Sequence, residues 1–368
     1  MRLLMISASA GHGHVRAAQA LEKAAQAVFP QAEVRNVDIL DYTAALYRKA
    51  YAASYLALAD RAPEMWGYLY NHSDSKRAKK RQARIIRAFD HVEFRKFRAF
   101  LREFNPDHLF CTHFLPAQIL QPYTGKDWYT FKLHLVVTDF MAHAFWAQAN
   151  ADTIFVASGE AVEEVAIKGI PREKIHKVGI PIMPEFGVAY DRAELRQRHG
   201  LLPGVPTVLA MSGGWGAAGM PELVRGILHH APVQVIAVCG RNEKMREMVA
   251  ALPVPAGSRV LALGYVNYVH ELMAVSDLCV TKSGGLTTSE CLAMGVPMLV
   301  PNPIPGQEER NAEYLTECGA AMTARSPGSL QYKLGKFLGD EELRKRMQAA
   351  ARSKGVPSAA TNILTAAT

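Results

Sequence analysis

The segment Thr281–Glu290, with the sequence TKSGGLTTSE, combines residue types that suit phosphate binding. Two adjacent glycines let the main chain approach a ligand closely, and the free N–H groups at the start of a helix favour an anion such as a diphosphate. The hydroxyl groups of Ser283, Thr287 and Thr288 add hydrogen-bond donors. Glu290 lies one helical turn further on, where it suits a ribose. A glycine pair is also typical of a plain strand-to-helix turn, so both interpretations stay open from these residues alone.

A second polar segment, Pro301–Asn311, follows the next apolar run and reads PNPIPGQEERN. Its three prolines and one glycine predict a rigid loop at the carboxyl end of a strand, where ligands bind in open α/β sheets. Gln307 and Glu308 then place an amide beside a carboxylate. Such a pair both donates and accepts hydrogen bonds, which is what sugar hydroxyls require.

These segments need a scaffold, and the apolar runs of the chain predict one. The runs lie at Leu3–Ile6, Val34–Val37, Leu109–Cys111, Leu133–Val137 and Ile154–Val156 in the first half, and at Thr207–Met211, Val233–Val238, Val260–Leu263, Leu278–Thr281 and Pro297–Val300 in the second. Continuous apolar strands separated by helices are typical of parallel sheets covered on both faces. We therefore predict an α/β fold with two doubly wound units, joined by the segment Gly179–Asp191.

The composition is that of a globular protein. The chain has 368 residues, 49% of them hydrophobic, and its five cysteines form no CxxC pair, which fits a reducing compartment. The apolar run at the N-terminus is too short for a secretion signal, and no stretch approaches the roughly 18 apolar residues of a membrane span. The sequence therefore predicts a cytoplasmic protein.

Positive charge is concentrated in the first half of the chain. The net charge is +8, of which residues 1–150 carry +7. Residues 76–102 contain eleven Lys or Arg, with apolar residues at roughly helical spacing. This pattern predicts either a solvated helix packed on its own domain or an interfacial helix facing anionic lipid. The residues predicted to contact the membrane or the acceptor are Trp66, Lys79, Lys80, Arg81 and Arg84.

Several segments together resemble one enzyme family. GGLTTSECLAMGVPMLVPNPIPGQEERNAEYL is similar to the donor-binding half of glycosyltransferase family 28, within the group of monogalactosyldiacylglycerol synthases and processive diacylglycerol glucosyltransferases. The resemblance continues through LGYVNYVHELMAVSDLCVTK, VCGRNEKMREMV, MSGGWGAAGM, GIPIMPEF, VVTDFMAHAFW, APEMWGYLY and SASAGHGHVRAA. It spans residues 3 to about 320, and the co-occurrence of the motifs is far more specific than any one of them.

The resemblance implies a GT-B fold, in which two Rossmann-like domains face each other across a cleft. We expect an N-terminal acceptor and membrane-facing domain at residues 1–180 and a UDP-sugar-binding domain at residues 181–345. The remaining segment, residues 346–368, is expected to form a tail that returns to the first domain. Such enzymes need no metal or other cofactor, and the chain has no DxD, HExxH or CxxC motif. The positive end of a helix would then stabilise the leaving diphosphate.

The resemblance also implies roles for individual residues of the donor site. Gly284, Gly285, Leu286 and Thr287 are expected to hold the diphosphate, and Glu290 the ribose. The other residues expected at the donor are Gln307 and Glu308 at the hexose, Gly213 and Gly214 near the diphosphate, and Arg241 and Val266 near the uracil.

The family inverts the anomeric centre, which implies a base that removes the acceptor proton. His14 matches the histidine of the family's N-terminal glycine–histidine loop, and imidazole has a suitable intrinsic pKa. A histidine at a helix start also caps backbone groups, and this alternative stays open from position alone. Asp139 is the second candidate, as base or as a group that orients it. His12 and His143 are weaker candidates.

The expected reaction transfers glucose or galactose from a UDP-sugar to diacylglycerol at an anionic membrane surface, on the inner face of the cell membrane. The sugar stays open, because one hydrogen-bond partner can decide between the two hexoses. The alternatives are a transferase that uses UDP-GlcNAc with another acceptor and a UDP-sugar epimerase of the same fold. A non-enzymatic nucleic-acid-binding protein is disfavoured, because the chain has no nucleic-acid recognition motif.

Overall fold

The computed structural model describes residues 1–9, 11–45, 48, 94–211 and 219–368 of the chain. Within these residues, two parallel sheets of six strands each form the framework. None of the helices in the described ranges combines the length and apolar composition that a membrane crossing requires. All five cysteines are free.

The first sheet occupies the first half of the chain. Its strands are β1 (Arg2–Ser7), β2 (Glu33–Asp38), β3 (His108–Cys111), β4 (Lys132–Val136), β5 (Thr153–Val156) and β6 (Ile175–Lys177). They lie in the order β2-β1-β3-β4-β5-β6. Leu3, Leu4 and Ile6 of β1 are fully buried, which accounts for its continuous apolar run. The strand order reverses between β1 and β3, so their carboxyl ends border a crevice suited to a ligand.

The second sheet occupies the second half. Its strands are β7 (Thr207–Met211), β8 (Gln234–Val238), β9 (Arg259–Leu263), β10 (Leu278–Val280), β11 (Met298–Pro301) and β12 (Ala321–Ala324). Their order is β12-β11-β10-β7-β8-β9, the arrangement of a classic dinucleotide-binding fold. Here the order reverses between β7 and β10, and the segment predicted to bind a diphosphate follows β10 directly.

Helices cover both faces of the two sheets. In the first half they are α1 (His12–Val28), α2 (Arg95–Phe104), α3 (Phe114–Leu120) and α4 (Gly159–Ile167). In the second half they are α5 (Arg192–Arg198), α6 (Met220–Leu228), α7 (Glu243–Ala250), α8 (Val269–Val275), α9 (Gly285–Met294), α10 (Gln307–Glu317), α11 (Pro327–Gly339), α12 (Glu341–Lys354) and α13 (Ala359–Ala367).

The last helix, α13, packs on the first sheet. Its Ile363 and Leu364 are fully buried and belong to the same apolar cluster as Leu3, Leu21 and Phe110. The chain thus crosses between the two sheets a second time, and the two crossings touch: a Cβ atom at Gly179 would lie 3.0 Å from the Cβ of Val356. The segment Gly179–Asp191 of the first crossing includes a short 3-10 helix at Pro184–Gly187.

The prediction of two doubly wound parallel sheets is confirmed. Helix α1 begins at His12, directly after the extended Gly11. His14 therefore lies in the first helical turn rather than in a loop. The described end of the basic segment, α2, packs Phe97, Leu101 and Phe104 into the core of the first sheet. The rest of that segment, with Trp66, Lys79, Lys80, Arg81 and Arg84, lies outside the described residues.

Candidate active site

The carboxyl ends of the two sheets meet at a close contact. Thr138 and Asp139 follow β4 of the first sheet, and Gly285 opens α9 after β10 of the second. A Cβ atom at Gly285 would overlap the carbonyl oxygen of Thr138 and lie 3.2 Å from Oδ1 of Asp139. Glycine is therefore required for the two domains to approach this closely. The contact brings the predicted base candidates next to the predicted diphosphate segment.

His14 lies on the first-sheet side of this contact and is buried. Its Nδ1 is 2.8 Å from the carbonyl oxygen of Thr112 and 3.0 Å from Oγ1 of Thr138. Because a carbonyl oxygen only accepts hydrogen bonds, Nδ1 carries the hydrogen, and Nε2 is the basic atom. The ring packs edge-on against His113, with ring centroids 4.7 Å apart.

Burial sets the charge of this histidine. It lowers the pKa of His14 to about 4, and the hydrogen bond to Thr112 opposes the shift only in part. His14 is therefore a neutral imidazole at pH 7. Its neighbour His113 is also buried, and burial lowers its pKa well below the usual value. Two adjacent neutral imidazoles avoid the repulsion that two charged rings would have.

Asp139 lies between the two domains and is 6% exposed. The side-chain amide of Asn311 donates to its Oδ1 over 3.1 Å. Burial raises the pKa of Asp139 to about 6, with hydrogen bonds from Gln307 and Asn311 lowering it and the charge of Glu308 raising it. At neutral pH the group is ionised, yet it is basic enough to accept a proton. Such a pKa suits a general base.

The predicted diphosphate segment begins α9. Gly284 is the N-cap, and no side chain caps this helix end, so its first N–H groups are available to a ligand. No described residue lies within 4 Å of the Cβ position of Gly284. Leu286 and Thr287 follow in the first turn and are half-buried. The arrangement has the open N–H groups and the helix polarity that an anion requires.

Two hydroxyl groups of this segment point inward. Ser283 is fully buried, and its Oγ donates to the carbonyl oxygen of Glu308 over 2.5 Å. This bond ties the start of α9 to α10. Thr288 is also fully buried, and its Oγ1 has no hydrogen-bond partner among the described residues.

Glu290, at the far end of the segment, faces α1 of the first domain. Burial raises the pKa of Glu290 to about 7, while the charge of Arg16 lowers it. Because this pKa is close to neutral pH, the carboxyl group is about half protonated at pH 7.

Gln307 and Glu308 form the first turn of α10. The turn before them needs Gly306, which adopts a φ of 100°. Glu308 is largely buried, with 14% of its side chain exposed, and its Oε1 lies 2.9 Å from Nζ of Lys282. Lys282 therefore places a positive charge beside the diphosphate segment and next to a group expected to bind the hexose.

The predicted uracil side lies at the ends of β8 and β9. Arg241 is exposed, and its guanidinium sits over the ring of Tyr265 at 5.7 Å from the centroid. Val266 packs partly into the core of the second sheet. Gly213 and Gly214, in the glycine-rich sequence after β7, lie outside the described residues.

The weaker histidine candidates take other positions. His12 is exposed at the first residue of α1. His143 is buried, and its Nδ1 accepts a hydrogen bond from the N–H of Phe145 over 3.3 Å, so it caps a short 3-10 helix.

Sequence reasoning did not single out Thr112, His113, Thr138, Lys282 or Asn311. Thr112 and His113 follow β3 and Thr138 follows β4, and the rule that ligands bind at carboxyl ends of parallel strands points to such positions. Within the described residues, no three His, Cys, Asp or Glu side chains cluster in a way that would hold a metal.

Two family models match the chain, and each covers the part that contains one of the two sheets. Residues 14–182 match the family described as monogalactosyldiacylglycerol (MGDG) synthase. Residues 208–363 match the glycosyltransferase family 28 C-terminal domain. The chain belongs to glycosyltransferase family 28. The family match extends over both sides of the site and agrees with the resemblance of the sequence motifs.

Relatives and solved structures agree with this assignment. The chain is 27% identical to the processive diacylglycerol beta-glucosyltransferase of Bacillus subtilis (strain 168) over 94% of this chain and 89% of that protein. Acinetobacter baumannii MurG has a similar structure, with a TM-score of 0.63 and 16% identity over 100% of this chain and 99% of that one. Anabaena Alr3699/HepE, solved with UDP and glucose, has a TM-score of 0.55 and 14% identity over the same shares. The family 28 chain therefore has the GT-B fold of a glycosyltransferase.

Proposed function

We propose that this family 28 glycosyltransferase moves glucose from UDP-glucose to the free hydroxyl of diacylglycerol and inverts the anomeric centre. The name of the Bacillus subtilis relative supports both the sugar and the acceptor. The complex of HepE with UDP and glucose supports a UDP-sugar donor in this fold. The observation that carries the proposal is the contact of Thr138 and Asp139 with Gly285. It places Asp139, a group suited to accept a proton, beside the start of α9, which is suited to bind an anion.

The proposed reaction is one displacement. The acceptor oxygen bonds to C1 of the hexose while the bond from C1 to the diphosphate oxygen breaks, and the acceptor proton passes to Asp139. We assign the proton to Asp139 rather than His14 because the pKa of Asp139 is about 6 and that of His14 about 4. The single hydrogen of the acceptor hydroxyl is then used by Asp139, so Nε2 of His14 would instead accept a hydrogen bond from another hydroxyl of the bound substrates.

The remaining residues would hold the donor. The first N–H groups of α9 and the ammonium of Lys282 would stabilise the charge on the departing UDP, so we propose that no metal takes part. Glu290 would bind the ribose hydroxyls, and Gln307 and Glu308 the hexose. Arg241 and Val266, with Gly213 and Gly214, are proposed to complete the nucleotide site.

The acceptor is a membrane lipid, so we propose that the protein binds peripherally to the cytoplasmic face of the cell membrane. The charge of +7 on residues 1–150 supports contact with anionic lipid. We propose no nucleic-acid partner.

The test is UDP release from UDP-glucose with vesicles of anionic phospholipid, with and without diacylglycerol and with and without EDTA. We expect release to depend on diacylglycerol and to continue in EDTA. Equal release with and without diacylglycerol would contradict the proposed acceptor, and loss of activity in EDTA that added Mg²⁺ restores would contradict the metal-free mechanism. Asp139→Asn is the variant that measures background hydrolysis.

A further inference from the structure

Outside the assigned site residues, the side chain of Asn311 makes hydrogen bonds to both domains. It lies on α10 of the second domain and is fully buried. Its Nδ2 donates to Oδ1 of Asp139 over 3.1 Å and to the carbonyl oxygen of Ser283 over 3.0 Å. Its Oδ1 accepts from the N–H of Phe140 over 3.0 Å. One amide therefore bonds two consecutive residues of the first domain and the residue before Gly284 in the second.

The orientation of this amide is fixed by its partners. The N–H of Phe140 can only donate, and the carbonyl of Ser283 can only accept, so the amide oxygen must face Phe140 and the nitrogen must face Ser283. The second hydrogen of the nitrogen then has to point at Asp139. The geometry leaves the carboxylate with a donor that it would lose if the domains separated.

We propose that Asn311 is a positioning residue, whose amide fastens Asp139 to the donor segment across the domain boundary and aims the carboxylate at the reacting centre only in the closed arrangement. This inference rests on the proposed role of Asp139 as proton acceptor. Asn311 itself touches no substrate in this account and acts through Asp139.

A neighbouring contact makes it possible to test two effects separately: holding the two domains together, and orienting the carboxylate of Asp139. Phe140 stacks on Tyr314, one helical turn beyond Asn311, with ring centroids 4.5 Å apart. This pair contributes apolar contact area to the same boundary, and Tyr314 is not among the groups that set the pKa of Asp139. Tyr314→Leu therefore weakens closure alone and is the matched control.

The charges around Asp139 predict how a change at Asn311 alters it. Glu308 is the charged group whose field raises the pKa of Asp139, and Lys282 pairs with Glu308. Gln307 and Asn311 supply the stabilising hydrogen bonds. Asn311→Asp keeps the shape but replaces a donor with a second carboxyl group, so two acids would share a proton and the pKa of Asp139 would rise further.

The experiment compares wild type, Asn311→Asp, Asn311→Leu and Tyr314→Leu by kcat and KM for UDP-glucose between pH 5 and 9, with thermal unfolding of each. We expect both Asn311 variants to lose about 100-fold in kcat, the usual cost of a misplaced reacting group. In the plot of kcat against pH, the fall in activity at low pH, called the acid limb, should move to higher pH in Asn311→Asp. Tyr314→Leu should raise KM and keep the wild-type limb. An Asn311→Asp enzyme that changes in the same way as Tyr314→Leu would overturn the inference.

A second readout works without turnover. The titration of Asp139 is followed by NMR of protein labelled with 13C at the aspartate carboxyl carbons, and its signal is assigned by its absence in Asp139→Asn. We expect a higher pKa in Asn311→Asp than in wild type. A higher pKa in a protein that makes no glycolipid would support the positioning role of Asn311 and contradict diacylglycerol as the acceptor. An unchanged Asp139 titration would contradict the positioning role of Asn311 even if the wild type is active.

Discussion

Replacing Asp139 with Asn should stabilise the fold while it removes activity. The pKa of Asp139 is about 6, against 3.8 for an unperturbed aspartate, because burial disfavours the charged form. Ionising the carboxyl group therefore costs the folded state more than the unfolded one. Two pKa units correspond to about 3 kcal/mol, which is the upper limit of the gain for a side chain that cannot ionise.

The sign of the pH dependence follows from proton binding. Between about pH 4 and pH 6 the folded state holds more protons at this site than the unfolded state, so wild-type stability falls as the pH rises through that window. The amide oxygen of an Asn at this position still accepts from Asn311. The variant should therefore be more stable than wild type at pH 7.5 and equal to it near pH 4.

The assay is urea unfolding of wild type and Asp139→Asn at pH 4, 5, 6 and 7.5, with glycolipid synthesis measured in parallel. We expect a stability gain that grows with pH and a fall in turnover of about 10²- to 10⁴-fold, the usual contribution of a general base. A gain of equal size at pH 4 and pH 7.5 would show that repacking, not ionisation, is its source. No gain at pH 7.5 would refute the reasoning from burial.

Three further changes test other parts of the site. Gly285→Ala should lower kcat/KM more than about tenfold, because its methyl group overlaps the Thr138 carbonyl and holds the domains apart. The control Gly328→Ala in α11, where no described atom lies within 4 Å of the added methyl group, should keep the wild-type value, and equal activity of the two variants would contradict the close approach. His14→Gln should reduce turnover but keep the acid limb near pH 6, since His14 titrates near pH 4; disappearance of that limb in His14→Gln would transfer the base role to His14. Wild-type affinity for UDP-glucose, whose diphosphate does not titrate in this range, should rise between pH 6 and pH 8 as Glu290 ionises. Glu290→Gln should bind UDP-glucose about tenfold more weakly at pH 8 with a flat profile, and a pH dependence that persists in the variant by calorimetry would exclude Glu290 as its source.

The fold was predictable because its signals are local. Ten of the twelve strands have their own apolar run, and the glycine pair of the donor segment follows one of them directly. The edge strands β6, with the sequence IHK, and β12, with the sequence AMTA, were not predicted because they lack such a run. The family resemblance carried the same information in longer motifs. The order of the strands is not local, since β7 and β10 become neighbours only after folding.

The site was predictable in its residue types but not in its contacts. His14 meets Thr112 across 98 residues of sequence, and Asp139 meets Asn311 across 172. The sequence motif explains Gly285 by close approach to a ligand, whereas in the folded chain its missing side chain also makes room for the Thr138 carbonyl. The pKa values of His14, Asp139 and Glu290 depend on burial, which no residue pattern gives.

The central claim is the transfer of glucose to diacylglycerol with inversion, and the product tests it most directly. The protein is incubated with diacylglycerol in anionic vesicles and with radiolabelled UDP-glucose or UDP-galactose in parallel, and the lipid product is isolated for NMR of its anomeric proton. We expect a β-linked glucosyl diacylglycerol from UDP-glucose. A galactolipid formed from UDP-galactose alone would correct the sugar, an α-linked product would contradict the single displacement, and no lipid product from either donor would contradict the proposed function.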